Sequence, residues 1–295
     1  MPRPVRIAAA AYPFDWLEDL NAYEAKISDW VGQAADCDLL VFPEYGAMEL
    51  ASLGGPEIAA DLERSLHEVA RHEAARDALH ARLAAAHGCH ILAASGPAFP
   101  VAGRRPVNRA VLFGPGGRIG HQDKQIMTRF EREDWDVTGA PGLAVFDTPV
   151  GRLGITICYD SEFPLLGRAL AEAGAEIIIA PSCTDSVAGF NRVRIGAMAR
   201  ALENQCVVVQ APTVGTCDWN PAIDENRGRA AIYGPPDGLW PETGIIAEGE
   251  MDAPGWVRAE IDLDRIAESR ADGRVLPFAH WPESDGLPPV ERIGG

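Results

Sequence analysis

The sequence predicts a mixed α and β fold. Three observations predict it. Short, nearly continuous apolar runs, such as residues 6–11 and 153–157, are the pattern of strands buried on both faces. Between the early runs lie longer stretches with apolar residues three, four and seven apart, the period of amphipathic helices. Elsewhere, turns rich in glycine and proline join two apolar runs directly, as hairpins do. The chain has 295 residues, 47% of them hydrophobic, enough for one large core. No repeat or linker divides it, so one domain over residues 1–275 and an irregular tail over 276–295 are expected.

In chain order, residues 6–11 form the first strand. Residues 19–36 set Leu20, Tyr23, Ile27, Trp30, Val31 and Ala34 on one helical face. Residues 38–42 form the next strand and lead to Glu44. Between 57 and 87, Ile58, Leu62, Leu66, Val69, Leu79 and Leu83 are spread among alanines and charges. They predict one or two helices, stopped by Gly88 as a C-terminal cap. Residues 89–95 and 108–113 are strands, and Gly114-Pro115-Gly116-Gly117 turns the chain into another at 118–122. That turn has a strand on each side and no helix end to hold a phosphate, so it reads as a hairpin. Lys124 opens an irregular segment to Gly142. Residues 143–148 and 152–157 pair across Pro149-Val150-Gly151 and deliver Cys158. A helix over 163–173 follows, then a strand over 176–180 ending in Pro181-Ser182-Cys183. A helix over 188–204, a strand over 206–211 and a polar loop over 216–227 come next. Strands near 229–233, 244–248 and 256–261 and a short helix over 263–270 complete the domain.

Composition excludes several functions. A net charge of −17 and a pI near 4.8 oppose binding to nucleic acid and to anionic membranes. No apolar run reaches the ~18 residues of a membrane-spanning helix. The N-terminal apolar stretch ends at Tyr12-Pro13, too early for a signal peptide. A soluble, cytoplasmic protein is expected. Six cysteines without a C-x-x-C pair signal neither a metal site nor a disulfide framework.

Three residues carry the chemical signal. Cys158 sits at a corner between a strand and a predicted helix, where backbone N–H groups and the helix end favour a thiolate. The competing reading is a buried thiol acting as a small apolar side chain. Glu44 follows a buried strand at once, as a functional carboxylate or a solvated loop charge. Of 26 basic residues only Lys26 and Lys124 are lysines. Lys26 falls on a predicted helix surface. Lys124 reads as a place where a compact ammonium is required and a planar guanidinium is not.

Four stretches occur in a fixed order: Phe42-Pro43-Glu44-Tyr45, Asp123-Lys124 with Thr128-Arg129-Phe130-Glu131-Arg132, Cys158-Tyr159-Asp160-Ser161-Glu162-Phe163-Pro164, and Ala199-Arg200-Ala201-Leu202-Glu203-Asn204. With spacings of 80 and 34 between Glu44, Lys124 and Cys158, the chain resembles the carbon–nitrogen hydrolase (nitrilase-like) superfamily over nearly its whole length. The resemblance implies a four-layer α-β-β-α sandwich, no metal or other cofactor, and a homodimer or larger assembly paired through the helices at 163–173 and 188–204. It implies Glu44 as general base, Cys158 as nucleophile, and Lys124 with the Tyr159 backbone N–H as stabilisers of the tetrahedral intermediate. Glu131 matches a second glutamate that holds the lysine, with Glu133 as a competitor. Tyr45, Ser182 and Cys183 follow strand ends on the rim and are candidates for lining the substrate pocket.

Cys158-Tyr159-Asp160 and Phe163-Pro164 resemble the amidase and carbamoyl-hydrolase branches, whereas residues 124–132 resemble nitrilases. The expectation is therefore hydrolysis of a small amide or carbamoyl C–N bond with release of ammonia. The alternatives are a nitrilase, a non-catalytic dimeric scaffold and a redox-sensing thiol protein.

Overall fold

The computed structural model describes residues 2–294. Strands β1 (Pro4–Pro13), β2 (Leu39–Val41), β3 (His90–Leu92), β4 (Gly96–Ala98), β5 (Val107–Gly114) and β6 (Gly117–Asp123) build one layer. Strands β7 (Val145–Thr148), β8 (Gly151–Ile155), β9 (Ile177–Ser182), β10 (Val207–Thr216), β11 (Glu225–Asn226), β12 (Ala231–Tyr233) and β13 (Ile245–Glu248) build the other. The last strand, β14 (Gly255–Asp262), returns to the first layer and pairs antiparallel with β1 from Pro4↔Asp262 to Ala11↔Gly255. In the first layer β1, β2 and β3 are parallel neighbours, and β5 pairs antiparallel with β3, β4 and β6. In the second, β8, β9 and β10 are parallel, flanked by antiparallel β7 on one side and β12 with β13 on the other. The layers touch edge to edge only where Tyr12 and Pro13 pair with Thr213 and Val214.

Side-chain alternation along each strand makes the layers. In β1, Val5, Ile7, Ala9 and Ala11 pack against Leu153, Ile155, Ile177, Ile179, Val207 and Val209 of the opposite sheet. Ala8, Ala10 and Tyr12 face the other way. They meet helices α1 (Leu20–Gln33), α3 (Leu62–Arg71) and α4 (Glu73–His87), which are joined through the short α2 (Pro56–Ala59). In β9 the same alternation sends Ile178 and Ala180 outward, under α6 (Pro164–Glu172) and α7 (Val187–Asn204), beyond the one-turn α5 (Arg129–Glu133). Each buried Ile or Leu contributes roughly 1.5–3 kcal/mol. The result is the α-β-β-α sandwich in one domain. Among the described residues no helix is long and apolar enough to cross a membrane.

The helix periods and the Gly88 stop hold, and the structure adds a cap at Asp19. Asp19 caps α1, accepting from the Ala22 N–H at 2.8 Å, and Gly88 caps α4 at φ 66°. Five segments differ from expectation, one being β10, which runs on to Thr216, with β11 inside the expected 216–227 loop. Residues 57–87 hold three helices. The strand expected at 89–95 is cut short to β3, ending at Leu92; residues 93–95 carry Ser95 to the Glu44 loop, and β4 begins only at Gly96. The irregular segment after Lys124 contains α5, nucleated by a capping box in which Thr128 and Glu131 satisfy each other's backbone. The tail is helical where it begins. It forms α9 (Pro277–His280), beyond α8 (Asp264–Asp272), and a 3₁₀ turn over Trp281–Ser284. Arg270 lies 4.2 Å and Arg168 4.8 Å from the Phe278 ring, and Arg168 lies 4.9 Å from Trp281. Two aromatic rings anchored on cations order a stretch whose prolines and glycines suggested none.

Candidate active site

Three strand ends deliver three groups to one place. Glu44 follows β2, Lys124 follows β6 and Cys158 follows β8. The Glu44 loop is fixed by Ser95, whose Oγ accepts from the Tyr45 N–H at 2.9 Å and whose N–H donates to the Pro43 carbonyl at 3.0 Å. Tyr45 adopts the left-handed conformation, φ 54°. The Lys124 N–H donates to the Asn108 carbonyl at 2.9 Å, one step past the regular β5–β6 pairing. Cys158 is also left-handed, at φ 49°, which costs about 1–3 kcal/mol for a residue with a side chain. The surroundings hold it there. Ser161 Oγ donates to the Cys158 carbonyl at 2.6 Å and Arg200 Nη1 to the Ser161 carbonyl at 3.0 Å. Helix α7 passes so close that a Cβ on Gly196 would come within 2.7 Å of the Ser161 oxygen.

The ammonium of Lys124 lies between two carboxylates. Its Nζ is 2.7 Å from Glu44 Oε1 and 2.7 and 2.8 Å from the oxygens of Glu131, with all three residues buried. The two glutamates titrate in opposite directions. Burial pushes Glu44 up to about 7, with the Glu131 charge adding to the push and Lys124 and the Cys158 thiol opposing it. Burial also pushes on Glu131, but Lys124, the Thr128 backbone N–H and the Tyr45 hydroxyl outweigh it and hold that carboxyl below its ordinary value. Tyr45 Oη donates to Glu131 at 2.8 Å, and the N–H and hydroxyl of Thr128 each donate at 2.8 Å. One carboxylate is therefore poised near neutrality, while the other is held in its ionised form by its donors. The ammonium pays burial's cost but stays well above the ordinary lysine range because of Glu131 and Glu44.

The thiol departs from expectation. Cys158 opens a 3₁₀ turn over Cys158–Glu162, and α6 begins only at Pro164, so the thiol is not at an α-helix end. Burial and the facing Glu44 charge push its thiol well above the ordinary range, more than Lys124 lowers it. The resting group is the neutral thiol, and it needs a base. Cys183 links the two: its N–H donates to Glu44 Oε2 at 2.9 Å, and its carbonyl accepts from Cys158 Sγ at 3.8 Å.

A cleft of about 560 Å³ opens onto Cys158, lined among others by Tyr159, Phe130, Cys183, Thr184 and Ala222. Of the three pocket candidates, only Cys183 lines it. Tyr45 is buried beneath and serves Glu131 instead. Ser182 falls on the outward parity of β9 with Ile178 and Ala180, and its buried Oγ has no partner among the described residues. Glu131 is the glutamate brought to Lys124, while Glu133 is exposed and paired with Arg129 at 2.7 Å. A larger groove of about 680 Å³ beside the Gly114–Gly117 turn contains none of these groups, so convergent titratable side chains, not size, mark the site.

Two residues at the centre were not singled out from sequence as site groups. Asp160 accepts from the backbone N–H groups of Ile126 at 2.9 Å, Gln125 at 3.1 Å and Ile157 at 3.3 Å. It ties the Lys124 loop to the Cys158 turn, and burial raises it to about 6 against those bonds. Its signal was a carboxylate two residues after the nucleophile. Asn108 donates from Nδ2 to Glu44 Oε1 at 3.0 Å. Its signal was a polar residue at the start of a strand that turns apolar from Ala110.

A model of the family described as carbon-nitrogen hydrolase matches residues 6–271. A probable hydrolase of Bacillus subtilis, YhcX, is 31% identical over 277 residues, covering 92% of this chain and 52% of its own length. A deaminated glutathione amidase of Yersinia enterocolitica is 49% identical over 94 residues, 31% of this chain and 32% of that protein. The chain thus spans about half the length of the first relative and a third of the second. An amidase from Nesterenkonia sp. AN1, solved with the acetamide moiety of fluoroacetamide on its active-site cysteine, superposes with a TM-score of 0.67 at 21% identity, over 90% of this chain and 94% of that one. By its family match across most of its length, with Glu44, Lys124 and Cys158 converging beneath one cleft, the chain belongs to the carbon–nitrogen hydrolase family.

Proposed function

We propose that the protein hydrolyses the C–N bond of a small carboxamide or carbamoyl compound through an acyl intermediate on Cys158, releasing ammonia. The observation that carries this reading is the burial of Lys124 between a carboxylate poised near 7 and an ionised one, next to a protonated thiol at the floor of a cleft. Glu44 takes the Cys158 proton as sulfur attacks the carbonyl carbon. The C=O electron pair moves to oxygen, where Lys124 and the Tyr159 N–H stabilise it. Glu44 returns the proton to nitrogen, the C–N bond breaks and ammonia leaves. Water, deprotonated by Glu44, then attacks the thioester, and the thiol leaves with that proton. Glu131 keeps the ammonium charged and aimed throughout.

An amide gives an oxyanion that these donors meet directly, whereas a nitrile gives a nitrogen that itself needs a proton. Asp160 and the Phe163-Pro164 pair support the amide. Ammonia release from matched amide and nitrile pairs tests the choice: kcat/KM is expected to favour the amide, and a preferred nitrile rejects it.

The cleft also bears on substrate charge. Its wall holds Glu162, Asp185, Asp224 and Glu225 against Arg129 and Arg192. Both arginines are engaged, Arg129 with Glu133 and Arg192 with Glu162 at 3.4 Å. The carboxylates left over favour a neutral or cationic acyl portion over a polyanionic one. The exposed Leu165 and Ile195 on α6 and α7 support a homodimer through those helices, checked by light scattering.

A further inference from the structure

Asn108 stands where β5 meets the catalytic centre and touches two of its three groups. Its carbonyl receives the Lys124 N–H at 2.9 Å. Its Nδ2 donates to Glu44 Oε1 at 3.0 Å, the same oxygen that Lys124 Nζ approaches at 2.7 Å. The other oxygen of Glu44 is held by the Cys183 N–H at 2.9 Å. The side chain is fully buried, and its Oδ1 has no partner among the described residues. A buried carboxamide kept only for packing is expected to satisfy both ends, because an unpaired buried acceptor costs free energy. Here only the end that faces Glu44 is satisfied.

We propose that Asn108 is a positioning residue whose Nδ2–H fixes the Glu44 carboxylate between Lys124 and the Cys158 turn and favours its ionised form. The proposal rests on the reading of Glu44 as the base. The charged and titratable groups facing Glu44 are Lys124 after β6, Glu131 on α5, Cys158 after β8, Cys183 after β9 and the neighbouring Tyr45. Asn108, from β5, is the neutral side-chain donor to its carboxylate, beside the Cys183 backbone N–H. A donor to a carboxylate favours the charged form, so losing it raises the pH at which Glu44 can accept a proton.

The test reads the Glu44–Cys158 proton transfer without needing the natural substrate. The rate of Cys158 alkylation by iodoacetamide is followed by mass spectrometry against pH, in the wild type, in Asn108→Leu, which keeps the volume but not the donor, and in Asn108→Ala. Both substitutions leave the backbone carbonyl that serves Lys124. Thermal midpoints identify the variants that fold. In a folded variant the midpoint of the alkylation profile is expected to rise by about one pH unit, and the rate at neutral pH to fall about tenfold. A folded variant with the wild-type profile overturns the proposal. Failure of the parent reading looks different: the wild type then releases no ammonia from amides while the shift in alkylation remains.

Discussion

The chain's two lysines stand in two clusters that look alike and do different work. Lys26, expected on a helix surface, has a side chain only 10% exposed and contacts Glu49 Oε2 at 2.7 Å, Asp15 Oδ2 at 2.8 Å and the Pro13 carbonyl at 2.8 Å. Tyr12 Oη donates to Glu49 at 2.5 Å. Lys124 has two carboxylates and a tyrosine as well. In the first cluster the ammonium's hydrogen bonds go to Glu49 and the Pro13 carbonyl, with Asp15 as an ion pair beside them. In the second, the acceptors belong to only two groups, so a substrate oxygen can take one hydrogen by displacing one contact to Glu131. A buried Glu–Lys–Tyr arrangement is thus a structural motif in its own right, and Cys158 and the open cleft turn one copy into a site. Both lysines pair with carboxylates, but of the two only Lys124 is fully buried, and the proposed reaction uses that one.

The contrast breaks first at the nucleophile. Cys158→Ala is expected to lower amide turnover by at least about a thousandfold with the thermal midpoint little changed, since the thioester has no other donor. Near-normal turnover in that variant would place the reaction elsewhere.

Substituting the two lysines in parallel sharpens it further. Lys124→Arg should lose at least about a hundredfold in kcat, the scale of one oxyanion donor, because the broad guanidinium does not fit between Glu44 and Glu131. Lys26→Ala should instead lower stability by roughly 3–5 kcal/mol, having left Glu49 buried and unpaired, while kcat per folded molecule stays within about threefold. If denaturant unfolding and kcat show the two variants failing in the same way, the distinction is lost.

The pH dependence separates the carboxylates. Glu44 is raised to about 7, first by burial, and a general base works only when ionised. Below that value kcat/KM should fall about tenfold per pH unit. A limb in the ordinary glutamate range would mean that burial does not set this group.

The smallest effect concerns the cleft wall. Among amides of matched size, a cationic acyl group should exceed an anionic one by roughly three- to tenfold in kcat/KM, with the gap closing as salt is added. A preference for the anion would mean that Arg129 and Arg192 leave their present partners when substrate binds.

Much of this protein was legible in its sequence because the signals are local. Buried strands, helix periods, the Gly88 cap and the 114–117 turn follow from side-chain spacing and backbone preference within a few residues. The order of Glu44, Lys124 and Cys158 at strand ends could be read in the same way, and it carried the family resemblance. Tertiary structure decided what depends on partners far along the chain. Glu131 differs from Glu133 only in which side of a one-turn helix faces Lys124. Ser182 and Cys183 divide by strand parity at the cleft. Asn108 donates to a residue 64 positions away, and Lys26 is held by Glu49, 23 positions away. The protonation of Cys158 was also beyond the sequence, because a pKa depends on burial and facing charge, and both exist only once the sheets have closed over the site.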